Sequence, residues 1–212
     1  MKKKVTIIDY GAGNVLSVFR AFDACSANTE VTSNIKKIKD SSYLVLPGDG
    51  SFKFASDSLK KKGMFEILKN HYIKGNPLMG ICLGMQMLMS KGEEFGHSLG
   101  LSIIKGKVIK IKKQNKIHLK IPVIGWHPIK TQVSNNRHKL IKTNKYKDKK
   151  FYFVHSYRAM PDIKKDILGY YKYGEQDITA IIGKDNVIGT QFHPEKSGQN
   201  GINLIKSFLK IN

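Results

Sequence analysis

One cysteine in this chain is set for nucleophilic chemistry. Gly80-Ile81-Cys82-Leu83-Gly84 follows the apolar pair Leu78-Met79 and precedes Met85-Gln86-Met87-Leu88-Met89. This is the pattern of a strand that turns into a helix through a glycine-flanked nucleophile. The chain reverses so sharply there that a side chain two positions to either side would collide with neighbouring backbone, which is what calls for glycine. The turn lifts the sulfur out of the sheet and sets it at the start of a helix, where free N–H groups favour negative charge. Cys25, the other cysteine, has no glycine flanks; on the apolar face of the first expected helix it reads as a packing residue.

A sulfur nucleophile needs a base, and the base needs a group to orient it. Val187-Ile188-Gly189-Thr190-Gln191-Phe192 has the β-branched and aromatic content of a short buried strand and runs into His193-Pro194-Glu195. Proline fixes one torsion and ends the ladder, so His193 and Glu195 emerge from a stiff turn at the C-terminal edge of the strand. Open α/β sheets carry their sites at that edge. Taken alone, the tripeptide also reads as a polar turn with a loose ion pair; with a cysteine elbow upstream, nucleophile first and base and orienter last is one of several chain orders that assemble a triad.

The elements that must position these groups alternate in the first half of the chain. Expected strands at 4–9, 30–32, 43–46 and 78–81 are separated by helices at 15–27 and at about 56–72, the latter broken at Gly63. Such alternation implies an α/β fold with a mostly parallel open sheet and helices on both faces. The second half is richer in strands, at 107–111, 151–155, 167–173, 178–182 and 187–192, and reads as an antiparallel extension of the sheet closed by a helix at 201–209. The basic segment 112–120 and the Lys/Asn-rich segment 134–150 read as exposed loops. No linker divides the chain, so one domain over residues 1–212 is expected, and there is no internal repeat.

Composition narrows the function classes. A formal charge of +21 would ordinarily suggest nucleic acid or an acidic partner. Of the 37 basic residues, however, only Arg20, Arg137 and Arg158 are arginines, and the lysines are spread along the whole chain. Phosphate and base recognition favours the forked guanidinium and concentrates charge in one stripe, so the charge reads as a lysine-biased, solvated surface, with an acidic protein partner still open. No apolar run reaches eighteen residues, and Met1-Lys2-Lys3-Lys4 leads into a five-residue apolar strand rather than a signal-peptide core. Two cysteines make neither a disulfide framework nor a metal-ligand spacing. A cytoplasmic protein without metal or cofactor is the expectation.

Several separated blocks together resemble the triad-type glutamine amidotransferases, and within them the glutaminase subunits of imidazole glycerol phosphate synthases of histidine biosynthesis. Asp9-Tyr10-Gly11-Ala12-Gly13-Asn14 with Ser17-Val18 is similar to their opening G-x-G-N-x-x-S-V, and Leu46-Pro47-Gly48-Asp49-Gly50-Ser51-Phe52 to their P-G-x-G oxyanion strand. Residues 80–86 match their G-I-C-L-G-M-Q elbow. Tyr152-Phe153-Val154-His155-Ser156-Tyr157 and the run G-T-Q-F-H-P-E-K-S-G at 189–198 complete the set. The resemblance spans essentially the whole chain. It implies glutamine hydrolysis: Cys82 attacks, His193 donates a proton to the leaving ammonia and then accepts one from water, and Glu195 holds the imidazole in the useful tautomer. The N–H of Leu83 and one from residues 47–50, Gly50 included, would hold the oxyanion. Gln86 and the backbone around His155, Ser156 and Tyr157 would bind the amino-acid end of glutamine.

The resemblance also implies a heterodimer with a cyclase subunit of (β/α)8 form that takes up the ammonia, and puts Asn14 and Trp126 at that interface. One block departs. Where these subunits usually read P-H-M-G-W-N, this chain has Pro122-Val123-Ile124-Gly125-Trp126-His127; residues 125–128 read as a turn, and both exchanged polar positions are expected on the docking face. A paralogue feeding ammonia to a surface-sugar amidotransferase, and a catalytically silent interaction protein with this fold, are the competing readings.

Overall fold

The apolar runs of the first half stack side by side as parallel strands. In the computed structural model, which describes residues 3–113, 119–131, 138 and 144–210, β1 (Lys4–Ile8) leads through α1 (Val15–Asp23) to β2 (Asn28–Thr32). Next come α2 (Ile35–Lys39), β3 (Tyr43–Leu46), α3 (Phe52–Lys61), α4 (Met64–Ile73), β4 (Leu78–Ile81) and α5 (Leu83–Met87). The expected break at Gly63 is real: with φ +65° it is the left-handed residue between α3 and α4, a conformation glycine adopts without penalty. The first helix ends at Asp23, so Cys25 lies in the turn beyond it, half-buried, its sulfur 3.8 Å from the Ile202 carbonyl.

After α5 the chain makes short strands: β5 (Lys91–Gly92), β6 (Ser98–Leu99), β7 (Gly106–Lys110), β8 (Val123–Pro128) and β9 (Lys130–Thr131). β10 (Lys150–His155), β11 (Tyr157–Pro161), β12 (Ile167–Tyr173), β13 (Gln176–Lys184) and β14 (Val187–Thr190) follow, and α6 (Gly198–Phe208) comes last. The main sheet has the order β2-β1-β3-β4-β14-β13-β12-β9. Its first five strands run parallel, and β13, β12 and β9 extend it antiparallel; β14, expected in the antiparallel extension, instead joins the parallel part, because its hairpin with β13 turns it to run alongside β4. Apolar side chains alternate between two cores: Val5, Ile7, Val45, Met79 and Ile81 pack with Phe22 of α1 and Phe208 of α6, while Ile8, Leu44, Leu46 and Leu78 pack with α2 to α4.

Two strands expected in the extension lie elsewhere. β7 pairs with β11 in a four-stranded sheet with β5 and β6, and among the described residues β10 pairs with β8 alone in a two-stranded ribbon. The residues expected as a turn at 125–128 are part of β8, held in register with β10 from His155↔Val123 to Lys150↔Pro128. The segment 134–150 is not wholly an exposed loop, since its described residues include buried His138 and Tyr146; 134–137 and 139–143 lie outside the described residues, as do 114–118 of the basic segment.

Candidate active site

Strand order brings the chemistry together. β4 sits between β3 and β14, pairing Gly80 with Leu46 on one side and Gly189 on the other. The segments that leave the C-terminal ends of these three strands, 47–50, the Cys82 turn and 191–195, therefore meet above one edge of the sheet. Cys82 is tied to its neighbour through its own N–H, which donates to the Thr190 carbonyl at 2.7 Å.

The elbow is as tight as its glycines imply. A Cβ on Gly80 would lie 2.6 Å from the Gly84 carbonyl oxygen, and one on Gly84 would overlap the Leu46 carbonyl. Cys82 itself takes φ +52° and ψ −107°, a strained conformation for a residue with a side chain and one that clusters at functional sites. Its sulfur lies 3.9 Å from the Val154 carbonyl and receives the Gln191 amide N–H at 3.6 Å. The helix it heads, α5, is only five residues long.

His193 Nδ1 stands 2.7 Å from Glu195 Oε1. A nitrogen facing a carboxylate carries the proton, which leaves Nε2 for the reacting groups. Among the described residues, buried Nε2 has no hydrogen-bond partner, and neither has Glu195 Oε2. Burial works to lower the His193 pKa, but the nearby Cys82 sulfur and the paired Glu195 carboxylate prevail and raise it to about 10. The stiff turn is also pinned behind the ring: Ser197 Oγ donates to the His193 carbonyl at 2.6 Å, and the Tyr152 N–H donates to Ser197 Oγ at 3.0 Å.

Cys82, His193 and Glu195 line one cavity of about 350 Å³, together with Gly50, Leu83, Gln86, His155, Ser156, Tyr157 and Asn14. Leu83 opens α5, so its N–H lacks a carbonyl four residues back. Residues 47–50 form a loop rather than a strand; Gly50 has φ +85° and is exposed. Two bonds hold this loop: the buried Tyr10 hydroxyl donates to the Pro47 carbonyl at 3.0 Å, and the Gly13 N–H donates to Asp49 Oδ1 at 2.9 Å. Burial first, then the charges of Asp49 and Cys82, keep the Tyr10 phenol far above its ordinary range, hence neutral and a donor.

A second imidazole lines the cavity in another state. His155 Nδ1 donates to the Tyr157 carbonyl at 2.8 Å, and the Tyr171 hydroxyl sits 2.8 Å from Nε2. Burial pushes its pKa down to about 4, so it is neutral with both nitrogens engaged and is no rival base. The Tyr157 carbonyl also receives Gln86 Nε2 at 3.2 Å, which leaves this carbonyl no free lone pair for a ligand. Two polar residues of the site, Gln191 within the 189–198 block and Glu94, had no role assigned from the sequence. Gln191 touches the sulfur, and Glu94, in a short polar turn, lines the cavity while its Oε2 accepts the Phe52 N–H at 2.7 Å at the start of α3.

Trp126 lies outside the cavity, half-exposed on β8 and edge-on to Tyr152. Asn14 caps α1, its side-chain oxygen accepting the Ser17 N–H. The departures at 123 and 127, expected on a docking face, do not point outward. Strand alternation turns Val123 and His127 inward, Val123 into the core at 1% exposure and His127 onto Tyr171. Ile124 and Trp126 point outward at 62% and 51%. Among the described residues no cluster of side chains could hold a metal, and no helix is long and apolar enough to cross a membrane.

Residues 6–211 match the family model described as Glutamine amidotransferase class-I. The chain is 42% identical over 210 residues to the imidazole glycerol phosphate synthase subunit HisH of Lactococcus lactis subsp. lactis (strain IL1403), covering 98% of each chain. It is 43% identical over 204 residues to the subunit of the same name from Caldanaerobacter subterraneus subsp. tengcongensis, covering 96% of each. Among solved structures, PurLQS from Thermotoga maritima superposes with a TM-score of 0.73 at 17% identity, over 99% of this chain and 98% of that one. A structure described as glutamine amidotransferase gives 0.72 at 12%, over 96% and 97%.

Proposed function

The chain belongs to the class-I glutamine amidotransferases, and from that premise we propose that Cys82, His193 and Glu195 are the triad of a glutaminase subunit of imidazole glycerol phosphate synthase, with a cyclase barrel as its partner. The observation that carries the triad is the 2.7 Å His193–Glu195 pair in the same cavity as a strained, glycine-flanked cysteine.

The chemistry follows from these atoms. Cys82, its thiol proton passed to His193 Nε2, adds as thiolate to the side-chain amide carbon of glutamine, and the Leu83 N–H with an N–H of the 47–50 loop takes the charge that develops on oxygen. One such donor is typically worth about 10²–10³ in rate. His193, held protonated by its partners, delivers the Nε2 proton to the departing ammonia, leaving a thioester on the sulfur. The now neutral ring takes a proton from water, hydroxide adds to the thioester, and glutamate leaves. Glu195 keeps the proton on Nδ1 throughout, so that Nε2 is always the working nitrogen. At the other end of the substrate, Glu94 and the oxygen of Gln86 offer negative charge and an acceptor to the α-ammonium group.

Ammonia that escapes to solvent is lost, so the glutaminase is useful only when docked. The outward Ile124 and Trp126, and Asn14 beside the cavity, form the proposed docking side, where a (β/α)8 cyclase receives ammonia for imidazole glycerol phosphate formation in the cytoplasm. No observation favours the surface-sugar alternative, and three chemically coherent side chains in one cavity speak against a silent scaffold.

The test is covalent labelling. A diazoketone analogue of glutamine should label Cys82, as read by peptide mass spectrometry, and excess glutamine should protect it; label on Cys25 instead would overturn the assignment. Cys82→Ala should abolish glutamine-dependent synthesis yet leave the complex able to use ammonium salts.

A further inference from the structure

We infer that Gln191 is a positioning residue that yokes the nucleophile to the amide that grips the substrate, an inference that rests on the glutaminase reading. Its side chain is wholly buried. Its Nε2 meets the Cys82 sulfur at 3.6 Å, and its Oε1 accepts Gln86 Nε2 at 3.1 Å. The backbone has no slack either: the Gln191 N–H donates to the Ala180 carbonyl at 2.9 Å, and the next residue, Phe192, stacks on Phe151 at 4.1 Å. Turning the carboxamide over would set two amide donors against each other at Gln86, so its partners fix its orientation.

Two consequences for the reaction follow. The Val154 carbonyl can hold the sulfur only while the sulfur carries a proton; once it is a thiolate, oxygen and sulfur repel, and the Gln191 N–H is the contact that grows stronger. Gln191 therefore holds the ionised sulfur in the attacking position. Both Gln86 N–H bonds are meanwhile consumed inside the protein, by Gln191 and by the Tyr157 carbonyl. What Gln86 turns to a ligand is its carbonyl oxygen, an acceptor suited to an ammonium group.

The two halves separate by substitution. Gln191→Glu, studied at pH 8.5, keeps an acceptor for Gln86 but presents oxygen to the sulfur; Gln191→Met fills the space and loses both bonds; Gln86→Met removes only the substrate-side amide. Saturation kinetics of Cys82 alkylation by 6-diazo-5-oxo-norleucine, on the isolated chain, read grip and attack separately. Gln191→Glu should lower the maximal rate about tenfold with half-saturation within about twofold. Gln86→Met should raise half-saturation about tenfold with the maximal rate within about threefold. Gln191→Met should do both, and adding Gln86→Met to it should raise half-saturation no further. An unchanged maximal rate in Gln191→Glu, or additive losses in the double variant, overturns the yoke; should Gln191→Met not fold, the other two variants still give the split. If the wild-type chain takes no label from the analogue even when docked to its cyclase, the glutaminase reading fails instead. Iodoacetamide, which needs no substrate grip, then tests the sulfur alone: about tenfold slower reaction of Cys82 in Gln191→Glu supports the contact, and equal rates overturn it.

Discussion

The ring of His127 lies on that of Tyr171 with centroids 4.8 Å apart, and this stack explains how β8 absorbs a departure from the usual motif. The imidazole also meets Phe153 and Tyr173 edge-on, so the exchanged residue is a packing element on the inner side of the ribbon. His127→Asn should therefore cost about 0.5–1.5 kcal/mol of stability and leave partner affinity within twofold. Trp126→Ala, on the outer side, should weaken the complex by about 2 kcal/mol or more with little effect on stability. Urea unfolding and titration of the cyclase against both variants check the pair, and the opposite assignment of effects would refute it.

Glu195→Gln should lower glutamine turnover by about 10²–10⁴, because the amide neither fixes the Nδ1 proton nor supports the charged ring. The same substitution should change the pH dependence of stability. Burial lowers the His193 pKa and its partners raise it to about 10, above the ordinary 6.5; a folded value above the unfolded one stabilises fully below about pH 6.5 and is lost as pH rises through about 10. The stability advantage of wild type over Glu195→Gln should thus be largest in mild acid and shrink toward pH 10. A constant difference across that range counts against the pairing.

His155 predicts the reverse at low pH. Its folded pKa of about 4 lies below the ordinary 6.5, so the neutral ring contributes stability that is present above about pH 6.5 and lost as pH falls through about 4. Charging it costs about 3 kcal/mol at the limit. Wild type should lose more stability between pH 7.5 and pH 4.5 than His155→Phe does, as read from urea midpoints; equal losses would show that the imidazole is not the acid-sensitive group.

The isolated chain should turn over glutamine slowly and be accelerated by its partner. One of the two proposed oxyanion donors sits on the 47–50 loop, which among the described residues is held by the Tyr10 and Asp49 hydrogen bonds, with exposed Gly50 at φ +85°, so two arrangements of a peptide plane are cheap. Steady-state glutaminase assays with and without the cyclase and its substrate check this, and full activity of the lone chain would refute it.

Much of this architecture was legible because local sequence and global fold agree. Glycine at 80 and 84, the Pro after His193 and the apolar β4 and β14 segments each have one structural use, and that use fixes where Cys82 and His193 meet. Other features were hidden for physical reasons. Residues 125–128 contain Gly and Pro, which mark turns, yet they alternate inward and outward as a strand because β10 is there to pair them. Gln191 was lost inside a strand-like block, since nothing local tells a buried carboxamide that holds a sulfur from one that caps a ladder. Glu94 stood in a polar turn whose approach to the cavity depends on where α3 begins. Tyr146 sat among lysines and asparagines, its burial decided by α6, where its hydroxyl meets Ser207 at 2.7 Å.

The alternation of β8 also divides the labour of selection. Val123 and His127 answer to the core, whereas the outward Ile124 and Trp126 answer to the proposed partner. Drift at the outer positions can retune the choice of ammonia acceptor without disturbing packing, and drift at the inner ones can alter robustness without changing allegiance. Val154, on the same ribbon opposite Ile124, is where the two lineages of change would first collide, because its backbone touches the nucleophile.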